Sequence, residues 1–321
     1  MSGALSGVAA TSARNAWAVG TAGHKALIVR WNGTGWKQAK ASVSASNSAL
    51  AGVAAVSAGN AWAVGFTGTS RHKALIVHWN GTSWRRLAGP GATGGSLAAV
   101  AASSASSAWA VGTTHRYPTG KTLIMHWNGH AWKRVPSPTP GTGSALTGVT
   151  ALSARNAWVV GNYVDKANPF GLPLIAHWNG HAWRRISAPF GNMLGVTATS
   201  AKNAWAVGST GGDGLQFPLI LRWNGHSWKQ QHTPAVADGG ILLAVGASSA
   251  GNAWAVSQSV SNTTLIWRWK GTAWKSVHTP AVAAGSNLNG VAVLGKASAW
   301  AVGATSSGKT LILRWNGTSW S

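Results

Sequence analysis

The chain has 321 residues, 45% of them hydrophobic, with 42 glycines and no cysteine, so a core is affordable while disulfides and thiolate metal sites are excluded. It carries 26 Lys+Arg against 3 acidic residues, all Asp, for a formal net charge of +23, a balance that attracts polyanions such as nucleic acid or acidic polymers. No apolar run approaches the roughly 18 residues needed to span a bilayer, so membrane insertion is not expected.

Met1-Ser2-Gly3-Ala4 leads straight into repeated sequence without the charged start and apolar stretch of a signal peptide, which fits a cytoplasmic protein or a mature chain with a new initiator Met. Leu5-Ser6-Gly7-Val8-Ala9-Ala10 reads as a strand of small residues, suited to a place where strands converge on an axis. Ser12-Ala13-Arg14-Asn15 is a polar turn, and Ala16-Trp17-Ala18-Val19 forms a second strand closed by Gly20. After a variable loop, residues 26–31 form a third strand, and Asn32-Gly33 predicts a two-residue type I′ hairpin into a fourth. That register sets Trp31 opposite Thr34 and Val29 opposite Trp36, and groups Leu27, Val29, Trp31 and Trp36 on one face.

The same phrases return with their first tryptophan at Trp62, Trp109, Trp158, Trp205, Trp254 and Trp300, roughly 47 residues apart, a spacing that marks a repeat architecture. Seven copies of four antiparallel strands predict an all-β, seven-bladed β-propeller forming one domain over residues 1–321. Its blades cover approximately 5–49, 50–96, 97–145, 146–192, 193–241, 242–287 and 288–321. No blade is split between the ends, so ring closure is expected to rest on apolar packing between blades one and seven. A β-solenoid, with a shorter period and without Asn-Gly hairpins, fits less well.

The repeats, of the form AWAVG…LIxHWNGTxW, resemble the tryptophan-rich propeller repeats of secreted and surface proteins of filamentous actinobacteria, and loosely the kelch and tectonin propellers. The resemblance covers nearly the whole chain. It implies a binding or scaffold module with no agreed catalytic residues, located outside the cell or at its surface, with a cytoplasmic location as the alternative. Where the family form often has Glu before the His-Trp or Arg-Trp pair, this chain has Val29, Val77, Met125, Ala176, Leu221, Trp267 and Leu313.

Residues present in most copies are frame. Three tryptophans per copy account for all of the 22 except Trp267, which is expected to fill the same blade face. The Asn-Gly-Thr sequons at Asn32, Asn80 and Asn316 are better explained as turns, because Asn224-Gly225-His226 holds the same place. His78, His126 and His177 precede the hairpin turn, and His130, His181 and His226 follow it, without carboxylates nearby, so neither metal nor cofactor is expected. Lys37, Arg85, Lys133, Arg184, Lys229 and Lys275 follow the last tryptophan of their copies and read as a solvated outer strand face.

Strand alternation puts the short uniform turns on one face of the disc, and the variable loops with the crossovers between blades on the other. Rare residues collect on that variable face: both tyrosines, all four phenylalanines and all three aspartates. Most of them belong to blades three to five: His115, Arg116, Tyr117, Tyr163, Asp165, Lys166, Phe170, Phe190, Asp213, Phe217 and Asp238. Aromatic walls with a few polar groups suit a carbohydrate or another small polar ligand, bound by a monomer. An enzyme on the same face would use Asp165 or Asp213 as base, Tyr163, Tyr117 or His115 as acid, and Arg116 to hold an anionic substrate. Binding is preferred, since no nucleophile elbow, paired Glu motif or metal set is present. Polyanion binding through the basic rim is the third reading.

Overall fold

The computed structural model describes every residue except 42, 44, 45, 71, 90–93, 116–118, 170, 212–214 and 262. Blade one consists of β1 (Ala4–Ser12), β2 (Asn15–Ala22), β3 (Lys25–Trp31) and β4 (Trp36–Gln38), paired antiparallel in that order. Five more sheets repeat this order, and the seventh has three strands with Trp320 bridged to Trp315 at its outer edge. The described residues contain no helix. The chain is a seven-bladed β-propeller.

Crowding at the axis dictates the small inner strands. A Cβ on Gly7 would lie 3.2 Å from the Ala51 carbonyl oxygen of blade two, and one on Gly52 would lie 3.0 Å from Ala99 Cα of blade three. The ring comes round at the same point, where a Cβ on Gly290 would stand 3.1 Å from Gly7 Cα. Bulges between Leu5 and Gly7 and between Leu50 and Gly52 bend the inner strands beside these contacts.

Tryptophan joins one blade to the next. Trp17 of blade one is buried between Trp79 and Trp84 of blade two, with both ring centroids 5.0 Å away and the second ring edge-on at 86°. Each following boundary repeats this arrangement, through Trp62, Trp109, Trp158, Trp205 and Trp254, at centroid distances of 4.8–5.2 Å. Trp300 of blade seven closes the circle between Trp31 and Trp36 of blade one. Such offset and edge-to-face pairs contribute about 0.5–1.5 kcal/mol each beyond the area they bury. Trp267 is 1% exposed and packs in the same layer with Trp205, Trp269 and Trp274.

The outer hairpin differs from the two-residue turn expected. Trp31 pairs with Trp36 and Val29 with Gln38, so the loop has four residues, 32–35. Gly33 has φ +102°, whereas the only positive-φ non-glycine among the described residues is Asn47. Asn32 therefore acts through its side chain: Oδ1 accepts from the backbone N–H of Thr34 and of Gly35, both at 3.0 Å. An Asx cap of this kind replaces the left-handed Asn that a type I′ turn requires. The shift sets the two outer tryptophans opposite one another, at 6.0 Å, and opens the slot that the neighbour's indole enters. The third-strand indole is fixed by its own N–H, which donates to the carbonyl of the first turn, as from Trp31 to Ala13 at 3.0 Å.

Ring closure uses backbone hydrogen bonds in addition to the expected apolar packing. Leu5, Ala16, Ala18, Leu27 and Val29 of blade one pack with Trp300 and Val302 of blade seven. The Gly3 N–H also donates to the Gly308 carbonyl at 2.8 Å, and the Thr310 N–H to that of Met1 at 3.0 Å. The first of these is one of a recurring set, in which the chain entering a blade donates to the second loop of the blade before it: Ser48 to His24, Gly95 to His72, Ser144 to Gly120 and Gly240 to Gln216.

Over each second-strand tryptophan lies the residue that precedes the third-strand tryptophan. Arg30, Arg222, Arg268 and Arg314 place the guanidinium carbon 4.8–5.3 Å from the ring centre in blades one, five, six and seven. In blades two, three and four the lid is His78, His126 or His177, with ring centroids 4.0–4.4 Å apart. Burial holds all three imidazoles below their ordinary pKa near 6.5. The folded state then binds fewer protons than the unfolded chain, so the stability these groups contribute is present above pH 6.5 and is lost as pH falls through their lowered values. The melting temperature should fall on acidification below pH 6.5, and a His78→Arg, His126→Arg, His177→Arg variant should show a smaller fall over the same range. In urea titrations at pH 7.5, Trp158→Ala should cost about 3–5 kcal/mol, because it empties the boundary between blades four and five.

Candidate functional site

The variable face carries the loops between second and third strands, with the crossovers docked beside them. Among the described residues, most of the exposed large apolar side chains lie in or beside blade five. Its strands are Asn192–Ser200, Asn203–Thr210, Phe217–Trp223 and Trp228–Gln230. Thr210 pairs with Phe217, and Asn192 with Ser209 on the other side of the same strand. Phe190, two residues before Asn192, therefore lies at the same end of the blade as Phe217, two strand spacings or about 10 Å across. Gly191 is forced to be glycine, since its φ is +145° and a Cβ there would meet the Ser209 carbonyl at 2.8 Å. Phe190 is 56% exposed and Phe217 42%, with Leu215 beside the latter at 52%.

The next crossover completes the cluster. Gly240 donates to the Gln216 carbonyl at 2.8 Å and brings Asp238 alongside the blade-five loop. Asp238 Oδ2 accepts from the Ser261 N–H at 2.7 Å, which ties the crossover to the blade-six loop. Hydrogen bonds from Ser261 hold this carboxyl below its ordinary pKa. The exposed Val260, at 58%, adjoins it, and its N–H contacts the Gly239 carbonyl at 3.3 Å.

The other expected residues are placed differently. Tyr163 belongs to a strand, Asn156–Val164, and is 8% exposed in the apolar boundary between blades three and four. The Arg185 Nη2 donates to its hydroxyl at 2.6 Å, and the guanidinium carbon stands 4.5 Å from its ring centre. Asp165 caps its own loop: Oδ1 accepts from the backbone N–H of Ala167 at 3.0 Å and of Asn168 at 2.7 Å, and from the Asn168 side chain at 3.0 Å. Those bonds, the Asn168 side chain's first, lower its pKa. Lys166 is exposed. His115 is exposed and bonds to its neighbour Thr114 at 3.2 Å, without contact to the blade-five cluster. Arg116, Tyr117, Phe170 and Asp213 lie outside the described residues. Leu215 and Val260 join the cluster although neither is a rare residue type; the sequence offered only their place in variable loops. Among the described residues no group of His, Cys, Asp or Glu could hold a metal.

No family model matches the chain, and a search of curated proteins finds no match. Its likeness to solved structures lies in the propeller fold. YCF48, in a structure with a D1 peptide bound, aligns with 98% of this chain and 93% of its own, at 13% identity and a TM-score of 0.62. The Aleuria aurantia lectin in complex with Fucα1-6GlcNAc aligns over 87% and 97%, at 13% identity and 0.56. SapL1 lectin in complex with α-methyl fucoside aligns over 85% and 94%, at 12% identity and 0.59.

Because Tyr163 is buried, Tyr163→Ala should destabilise the fold by about 3 kcal/mol or more and lower the urea midpoint. Asp165→Ala should leave that midpoint in place and speed amide hydrogen exchange at Ala167 and Asn168 alone.

Proposed function

We propose that the chain is a rigid, monomeric binding module for a carbohydrate or another small polar ligand, acting outside the cell or at its surface, with the ligand held on the variable face. The observation that carries this reading is the exposure of Phe190 and Phe217 together at one end of blade five. Elsewhere the large aromatic side chains are mostly spent on the boundaries between blades. Two open rings on strands about 10 Å apart offer apolar faces to the C–H side of a pyranose, two strand spacings matching the span of a disaccharide. Asp238 and Gln216 supply acceptors beside them, and neutral-sugar hydroxyls ask for no more. The fucoside complexes of two propeller lectins support the class of ligand by analogy of fold.

Catalysis is less well supported. Both described aspartates accept hydrogen bonds that hold their loops, and the Tyr163 hydroxyl is engaged by Arg185. A glycan array followed by titration calorimetry tests the proposal. Phe190→Ala with Phe217→Ala should weaken binding of the selected glycan about tenfold or more and leave the melting temperature unchanged. An array without a hit, or an affinity indifferent to both substitutions, would overturn it.

A further inference from the structure

The opposite face, with the short turns, sets cations across from one another, as in Arg30 with Lys37 and Arg268 with Lys275. Arg222 and Lys229 of blade five stand directly across from each other on neighbouring strands. Like charges so placed repel. Lys202, from the first turn of the blade, lies over Gly225 and makes a third cation; the Cβ that Gly225 lacks would be 3.2 Å from its Cγ. Lys202, Arg222 and Lys229 line a cleft of ≈ 340 Å³ together with Trp223, Asn224 and Gln231. No carboxylate side chain lines it, and both described aspartates belong to the other face.

The guanidinium at the centre is fixed in place. Arg222 lies against Trp205 at 4.9 Å and Trp269 at 5.2 Å, and its Nε donates to the Asn203 Oδ1 at 3.2 Å. Two of its three counterparts also use a terminal nitrogen. Arg30 Nη2 donates to Asn15 at 3.1 Å and Ala58 at 3.5 Å, and Arg268 Nη2 to Asn252 at 3.0 Å and Lys296 at 2.9 Å. The two terminal nitrogens of Arg222 have no hydrogen-bond acceptor among the described residues. Blades two, three, six and seven lack the turn cation, with Gly59, Ser106, Gly251 and Ala297 where blade five has Lys202, while blade one carries Arg14 and blade four Arg155 there.

We propose that this cleft is a binding site for a tetrahedral oxyanion, the phosphate or sulfate group of a small molecule or sugar ester. The terminal nitrogens of Arg222 form the planar fork that matches two oxygens of such a group. Lys202 and Lys229 add charge from either side, and the bound anion relieves the cross-strand repulsion. The site is separate from the variable face and does not rest on the carbohydrate reading.

The test is an NMR titration of the full chain at pH 8 with inorganic phosphate and, separately, with glucose 6-phosphate, each at constant ionic strength set by chloride. Amide shifts should saturate at Lys202, Asn224 and Gln231. Lys202→Ser and Arg222→His should each weaken binding about tenfold, the loss of one charge-assisted bond. Both substitutions use chemistry already present in other blades, and a neutral imidazole keeps the stack on Trp205, so the melting temperature at pH 8 should hold. Tighter binding of the sugar ester identifies an esterified ligand and equal affinity identifies the free ion; either supports the site. Shifts that never saturate, or that are equal at Arg30 and Lys37 of blade one, would show general charge attraction and overturn it.

Discussion

At every boundary between blades, one buried indole enters between two indoles of the next blade, and seven such entries complete a circle. Most other features of the frame follow from keeping that slot open. The Asx cap at Asn32 sets the register that puts Trp31 opposite Trp36, and the indole bond to the Ala13 carbonyl holds one wall of the slot. Arg or His closes it from above. The arrangement has a cost: fourteen buried indole N–H groups, those of the second- and fourth-strand tryptophans, have no hydrogen-bond partner among the described residues. Edge-to-face contact offsets part of it, because the positive rim of one ring meets the negative face of another.

The frame was legible because it is repeated. Seven copies identify a strand order and a blade count without any knowledge of tertiary contacts, and both agree with the structure. The hairpin register differs from the expected one for a physical reason. Asn-Gly is compatible with a left-handed Asn and with an Asx cap, and only the pairing of Trp31 with Trp36 decides between them. Ring closure is legible only in part: the apolar packing follows from the sequence, while the backbone bonds of Met1 and Gly3 depend on where the chain's first residues settle.

The variable face was harder to read. Rarity of residue type marks a departure from the repeat, but cannot say whether the departing side chain faces solvent or fills a boundary. Tyr163 and Phe217 are both of rare residue types, yet one is 8% exposed and the other 42%. Their difference lies in strand register: Tyr163 falls on the side of its strand that meets blade three, and Phe217 at the open end of its blade. Asp165 and Asp238 show the same ambiguity in polar form, as a short carboxylate in a loop is well suited to accept the loop's own N–H groups.

The recurring bond from an incoming crossover to the preceding second loop links the loops of the variable face into a chain of dependence. Ser48, Gly95, Ser144 and Gly240 each need one carbonyl, from His24, His72, Gly120 and Gln216, in one place. The loops that provide it differ in length and composition, and the backbone carbonyl is what recurs. Length and composition are thereby released from the demands of folding, as long as that single acceptor is presented at the end of the loop. The disc is in this respect a chassis with interchangeable fittings: a loop moved from one blade to another should seat itself if it carries its terminal carbonyl along, so recognition can diversify while the frame stays the same.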